Sequence, residues 1–401
     1  MKNAHAVIGS SFGDEGKGLL TDYFCQMYGG CLVARFNGGA QAGHTVVTAD
    51  GRRHVFSHFG AGTLAGAPTL LCRRFIANPV VFERERAELA ALGVEPAVFI
   101  DPRALVTTPW DMLLNEMAET ARGARRHGSV GLGINETVTR SEHSPFRLTM
   151  GDAAGDPRAV EAIARCVRDV WVPRRVAALG IGEEFRRREA LVRDEGLLQN
   201  WLCVLEQLLE RTMVQEDARV LHDHEHAVFE GAQGLLLDQD RGTFPYVTRS
   251  NTGIRNVVEI LREVPPAELS ITYATRAYLT RHGAGPLDGE LPGPPFPGVH
   301  DRTNVPHPFQ GALRYALLDV DTLGARIRRD LADAGELAPQ PGVAITCMDQ
   351  LPEVAAWRCE GTTVHGSPDE LVEAVRTQVG GDTFLSYGPC ADDVMAEVTV
   401  G

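Results

Sequence analysis

The sequence predicts an α/β fold: a single large domain over residues 1–401, with a mostly parallel central sheet covered by helices and broken by irregular insertions. Three observations carry this expectation. Short apolar runs of strand length alternate with stretches of helical periodicity along the chain. At 401 residues the chain can bury a large core. The first apolar run leads straight into a glycine-rich turn and a helix start, and that order builds an anion cradle.

Taken in order, strands are expected at residues 4–8, 31–36, 54–58, 69–76, 97–100, 227–230, 269–279, 342–347 and 383–387. A helix starts at residues 19–24, and further helices are expected at 81–92, 109–121, 157–178 and 197–214. In the last of these, Leu198, Trp201, Leu202, Leu205 and Leu209 recur at helical spacing and read as core packing. No repeat, low-complexity tract or linker divides the chain. The Pro/Gly-rich residues 283–298 read as an irregular surface loop.

Composition narrows the function classes. A formal net charge of −14 offers no basic field for a nucleic acid or an acidic membrane surface. The 8 cysteines are scattered without a Cys-x-x-Cys pair, which reads as reduced thiols in a cytoplasmic protein. No cationic and apolar leader opens the chain, and no run of about 18 apolar residues occurs. The run His222-Asp-His-Glu-His226 has a metal-binding look. It immediately precedes the strand delivering Glu230 and Gln233, however, and reads better as a solvated turn.

The chemistry concentrates in two glycine-dense loops. The first is Gly9-Ser-Ser-Phe-Gly-Asp-Glu-Gly-Lys17, between a strand and a helix start. Its backbone N–H groups and the positive helix end favour phosphate. In kind it is a phosphate loop like that of P-loop NTPases, but its spacing is neither the P-loop pattern nor the dinucleotide fingerprint. Asp14 sits inside the cradle, where a carboxylate repels phosphate unless a metal ion bridges the two or the acid acts as a base. The second loop, Ala34-Arg-Phe-Asn-Gly-Gly-Ala-Gln-Ala-Gly-His-Thr45, carries one imidazole, His44.

Gly13-Asp-Glu-Gly-Lys-Gly18 followed by Gly-Gly-Ala-Gln-Ala-Gly-His-Thr45 resembles the adenylosuccinate synthetase family. So do Glu230-Gly-Ala-Gln-Gly-Leu-Leu-Leu-Asp-Gln-Asp-Arg-Gly-Thr-Phe-Pro-Tyr-Val-Thr-Arg-Ser-Asn-Thr252 and Thr280-Arg-His-Gly-Ala-Gly-Pro286. The blocks follow the family's order over nearly the whole chain. The resemblance implies a Mg²⁺-dependent ligase that uses GTP or ATP. Such an enzyme phosphorylates the carbonyl oxygen of a purine nucleotide, by default IMP, and displaces the phosphate with an amino acid amine, by default L-aspartate. The chemical need is plain: oxide does not leave at neutral pH and phosphate does.

By the same resemblance, Asp14 is the base and a Mg²⁺ ligand, with the Gly43 carbonyl as second ligand. His44 donates to the transferring phosphoryl group, Lys17 neutralises its charge, and Gln233 holds the reacting edge of the substrate. Gly13, Glu15, Gly16, Gly18 and Thr45 belong to the phosphate cradle. Thr248 and Gln41 touch the substrate nucleotide. Asp349 reads the donor base, next to Ser386, Gly388 and Pro389. A homodimer is implied as well.

Three loops depart from the family pattern. Thr346-Cys-Met-Asp349 replaces Thr-Lys-x-Asp, so the lysine stem against the donor base is gone. At residues 301–311 an arginine-rich carboxylate grip is reduced to Arg302 and Thr303. At residues 128–136 Ser129 stands for one hydroxyl and Leu132 for an arginine. Arg140 and Arg147 are the nearest matches to an arginine that crosses the dimer, and Arg249 follows Thr248 where the family has serine. The phosphoryl-transfer residues are kept while the recognition loops are rewritten, which points to a changed substrate. The rivals are a guanine-nucleotide enzyme of the viral branch, a ligase for another oxo-heterocycle or amine, and a nucleotide-binding regulator without turnover.

Overall fold

The computed structural model describes residues 1–301, 303–304 and 310–397. Strand β1, Asn3–Gly9, is buried from Ala4 onward, as expected of a strand covered on both faces. It lies inside a ten-stranded sheet. The other members are β2 (Leu32–Arg35), β3 (Thr69–Leu71), β4 (Val98–Ile100) and β5 (Met213–Val214). They continue with β6 (His226–Gly234), β7 (Glu268–Arg276), β8 (Gln340–Thr346), β9 (Asp382–Ser386) and β10 (Val394–Glu397). The spatial order is β10-β9-β8-β7-β1-β6-β2-β3-β4-β5. All neighbours run parallel except β10, which closes one edge antiparallel to β9.

β1 is flanked by β6 and β7, with Ala6 opposite Phe229 on one side and Ile271 on the other. The C-terminal ends of these three strands therefore open together. They deliver the phosphate loop, Gln233 and Arg276 to one place, as parallel sheets do at their carboxyl edge. Helix α1, Lys17–Tyr28, packs back on the sheet through Leu20 and Phe24. A separate apolar cluster, which includes Trp110, Trp201 and Leu205, joins the helices after β3 and β4 to the far half of the sheet.

Several elements differ from expectation for visible reasons. Residues 54–58 do form a strand, Arg53–Phe56, but it pairs with His44–Val47 in a hairpin outside the main sheet. Residues 269–279 split at Ala277: Glu268–Arg276 stays in the main sheet and Tyr278–Arg281 joins a three-stranded one. The expected helix at 157–178 contains a π turn, Val167–Trp171, just before Pro173. A wide turn accommodates a proline that cannot donate into the ladder. Residues 283–298 are not wholly irregular, since Glu290–Leu291 pairs with Arg314–Leu317.

Candidate active site

The phosphate loop follows β1 and ends at Gly16, which precedes the first residue of α1, Lys17. Gly16 has φ 86°, and a Cβ there would stand 2.7 Å from Thr346 Cγ2, so only glycine fits between the loop and β8. Asp14 adopts the left-handed region at φ 57° without being glycine, at a cost of roughly 1 kcal/mol. Its carbonyl accepts a hydrogen bond from Arg276 Nε at 2.5 Å, which ties the strained residue to the end of β7. Arg326 supports the loop from behind, donating to the Ser10 carbonyl and to Ser11 Oγ.

The loop forms one wall of a cavity of about 430 Å³. Of the residues singled out in the sequence, Gly13, Asp14, Glu15, Gly16, Lys17, Gly18, Gln41, Gly43, His44, Thr45, Gln233 and Thr303 line it. Arg276, His282, Asp301, Asn304 and Gln310 complete its far side.

His44 opens the hairpin strand His44–Val47 and is buried. Its Nδ1 lies 2.5 Å from Glu230 Oε1 on β6, and Glu230 Oε2 accepts from the Ala61 N–H at 3.0 Å. The buried Arg35 approaches the same carboxylate at 3.6 Å. Burial alone raises the pKa of Glu230, but Arg35 and His44 outweigh it and keep the carboxyl below its ordinary value. Burial lowers the His44 pKa against the opposing pull of Glu230. The pair is thus an ionised carboxylate and a neutral ring that donates from Nδ1, an assignment made from this hydrogen-bond network.

The other charges are equally confined. Burial pushes Glu15 up to about 7, while Lys17 and the Ser10 hydroxyl at 3.1 Å pull it down. Glu15 also accepts from the Gly13 N–H at 3.2 Å, so it braces the loop from inside. Burial lowers the Lys17 pKa, and Glu15 and Asp14 oppose that shift.

Four buried polar atoms around the cavity lack a partner among the described residues: Gln41 Oε1, Gln41 Nε2, Thr45 Oγ1 and His282 Nδ1. Buried groups without partners are uncommon in folded proteins, and their grouping here marks the wall of a polar ligand site. His282 Nε2 stands 3.6 Å from Asp14 Oδ2, and the Asp14 carboxylate makes no hydrogen bond among the described residues.

Other expected contacts fall elsewhere. Ser129 Oγ accepts from Asn115 at 2.6 Å, and its neighbour Val130 faces the cavity instead. Thr248 donates its N–H to the Leu237 carbonyl at 2.8 Å and lines neither this cavity nor the next. Arg249 pairs with Glu142 at a second cavity of about 520 Å³. Arg140 is fully buried, held by Asp111 and by the Phe146 and Val106 carbonyls, and so cannot reach a neighbouring subunit. Arg147 is exposed on the second cavity. Asp349 lies just past the end of β8, and Ser386 and Gly388 at the end of β9, where Ser386 Oγ donates to the Gly388 carbonyl at 2.8 Å. None of the three lines the cavity. Arg302 lies outside the described residues. His222 is exposed beside Asp223, and no metal-holding His/Cys/Asp/Glu cluster exists among the described residues.

Sequence reasoning gave no role to Glu230, Arg276, His282 or Asp301. Glu230 and His282 stood inside quoted motifs; their roles emerge only from pairing across 186 residues of chain in one case and 268 in the other (282 − 14).

The fold and this cavity define an α/β protein with a glycine-rich loop that opens a helix beside a carboxylate–imidazole pair. The chain belongs to the adenylosuccinate synthetase family, whose model matches residues 6–328. It is 31% identical over 325 residues to adenylosuccinate synthetase of Stenotrophomonas maltophilia, covering 75% of this chain and 68% of that one. It is 32% identical over 299 residues to that of Clostridium botulinum, covering 72% and 66%. A fully ligated adenylosuccinate synthetase from Plasmodium falciparum superimposes with a TM-score of 0.78 at 16% identity, covering 98% of this chain and 99% of that one. The cyanophage S-2L succinoaminodeoxyadenylate synthetase, bound to dGMP and dATP, gives 0.62 at 17%, covering 98% and 95%. At these identities the two structures show the shared fold. As a member of this family the chain is a nucleotide-dependent ligase that forms a C–N bond; the family requires a nucleoside triphosphate and Mg²⁺. No helix among the described residues is long and apolar enough to cross a membrane.

Proposed function

We propose that the enzyme uses GTP or ATP to phosphorylate the carbonyl oxygen of a purine nucleotide and replaces it with an amino acid amine, IMP and L-aspartate being the default pair. One observation carries this reading: Asp14, Lys17, His44 and Gln233 share the wall of one cavity, with His44 fixed by Glu230.

The Asp14 carboxylate, which makes no hydrogen bond among the described residues, takes the proton from the ring N–H of the substrate and leaves charge on the carbonyl oxygen. Gln233, at φ 65° on the rim, holds that edge of the ring. The oxygen attacks the terminal phosphorus of the donor and the nucleoside diphosphate leaves. Lys17 and the loop N–H groups hold the phosphate oxygens. The Asp14 carboxylate and the Gly43 carbonyl are hard oxygen donors suited to Mg²⁺, which would neutralise phosphate charge when bound. His44 donates its Nδ1 proton to Glu230, so its Nε2 can donate to the phosphoryl group only once that nitrogen is protonated. The Glu230 carboxylate and an arriving phosphate both favour that state. The amine then attacks the same carbon, phosphate departs, and a proton leaves the nitrogen.

The test is phosphate release with Mg²⁺ and either GTP or ATP across IMP, GMP and dGMP, with and without aspartate. Release requiring IMP and aspartate is expected. Release with a guanine nucleotide would move the reading to a 2-amino-adenylosuccinate product. Nucleotide binding without release from any pair would overturn the default substrates. We further propose a homodimer, which sedimentation of the whole chain checks.

A further inference from the structure

Arg276 is the last residue of β7, 8% exposed, on the cavity wall. Its three nitrogens point to three different segments. Nε donates to the Asp14 carbonyl at 2.5 Å, Nη2 donates to Asp301 Oδ2 at 2.9 Å, and Nη1 reaches the Tyr278 hydroxyl at 3.5 Å. Both outlying contacts continue. Asp301 Oδ1 accepts from the Thr303 and Asn304 N–H groups at 2.9 Å each, and Oδ2 from Asn304 Nδ2 at 2.7 Å. Tyr278 donates to Gln350 Oε1 at 2.7 Å, and Gln350 Nε2 donates to the His300 carbonyl at 3.3 Å.

We infer that Arg276 is a positioning residue that locks Asp14 in its left-handed conformation and couples it to Asp301 and Gln350. Asp14 pays for its backbone angle with strain, and a rigid guanidinium held at two further points opposes its relaxation. The same fork links the base to two other walls. One bears Thr303 and Asn304, on the cavity opposite the phosphate loop. The other bears Asp349, next to Gln350. Disturbing either anchor therefore disturbs Asp14, although neither touches it. A lysine at 276 offers one ammonium in place of a planar fork and can keep one contact but not all three. The inference rests on the proposed role of Asp14 as base.

The test uses the full chain with Arg276→Gln, Arg276→Lys, Asp301→Asn and the double variant Arg276→Gln/Asp301→Asn. Hydrogen exchange of the peptide covering residues 9–17 is read without any substrate, next to Tm and steady-state phosphate release. Arg276→Gln should speed exchange in residues 9–17 at least tenfold and lower kcat by about 10²-fold, with the nucleotide KM changed less than threefold. Arg276→Lys should restore part of both. Asp301→Asn should speed exchange in the same peptide, and the double variant should be no worse than Arg276→Gln alone. Unchanged exchange in residues 9–17, or additive losses in the double variant, would overturn the coupling. A wild-type enzyme that releases no phosphate would instead overturn the proposed reaction, and the exchange arm would still decide the inference.

Discussion

The half of the cavity proposed for phosphoryl transfer and the loops proposed for recognition are built differently. In the first, His44 is gripped by Glu230 and the Asp14 carbonyl by Arg276, both from distant strands, while Glu15 is braced inside its own loop by Ser10 and the Gly13 N–H. In the second, Ser129 engages Asn115 and Ser386 engages Gly388 close by in the chain, and Arg249 reaches Glu142 across 107 residues but in an exposed pair. The contrast has a physical cause. Moving a reacting group by about 1 Å can cost 10²-fold in rate, so the transfer centre must be fixed by many elements at once. A recognition contact is worth about 1–3 kcal/mol and can be exchanged one side chain at a time.

The sharpest way to break this contrast is at Asp14. Asp14→Ala should abolish turnover while nucleotide binding stays largely intact, because the loop N–H groups and Lys17 still hold phosphate. Phosphate release at the wild-type rate would remove Asp14 from the role of base. Next in size is Glu230→Gln. The neutral ring of His44 would lose the ionised partner that favours its protonation when phosphate arrives, so kcat should fall by about 10²-fold with little change in KM. Tm should fall too, since Arg35 loses its buried counter-charge. An unchanged kcat in folded protein would show that His44 works without the pair.

How much of this the sequence disclosed follows the same division. The parallel sheet and the glycine loop are legible because strand, turn and helix signals there are local and consecutive, whereas Gln233 joins Asp14, Lys17 and His44 only through the family resemblance. The helix Pro368–Val379, absent from the expected elements, is equally local in its signal, the capping box Ser367-Pro-Asp-Glu370. Long-range partners were not legible. Nothing near Arg276 announces that β7 ends beside β1, and nothing near Arg140 says that Asp111 and two carbonyls already satisfy it. The break at Ala277 is also tertiary, because the apolar pattern runs on while the chain changes sheet.

On the recognition side the effects should be smaller and specific. Asp349 is exposed at the carboxyl edge of the sheet, past β8, where a donor base could meet it. Asp349→Asn should reduce discrimination for GTP over ATP by about tenfold, the order of one lost charged hydrogen bond. Equal ratios of kcat/KM for the two donors before and after the change would exclude Asp349 as the base reader.

The smallest effect is expected at Arg249. Its position after Thr248 leaves open a replacement charge or a plain surface contact, and the guanidinium lines the second cavity and pairs with Glu142, with side-chain exposures of 36% and 53%. Pairs this open contribute about 0.2–1 kcal/mol and are screened by salt. Arg249→Ala should therefore move the substrate-nucleotide KM less than about threefold, with the same result at high ionic strength. A tenfold rise that vanishes in salt would mean that Arg249 leaves Glu142 for a phosphate. The recognition side would then hold phosphate with a charge committed to the ligand, as the loop half does, and the contrast between the two halves would fail.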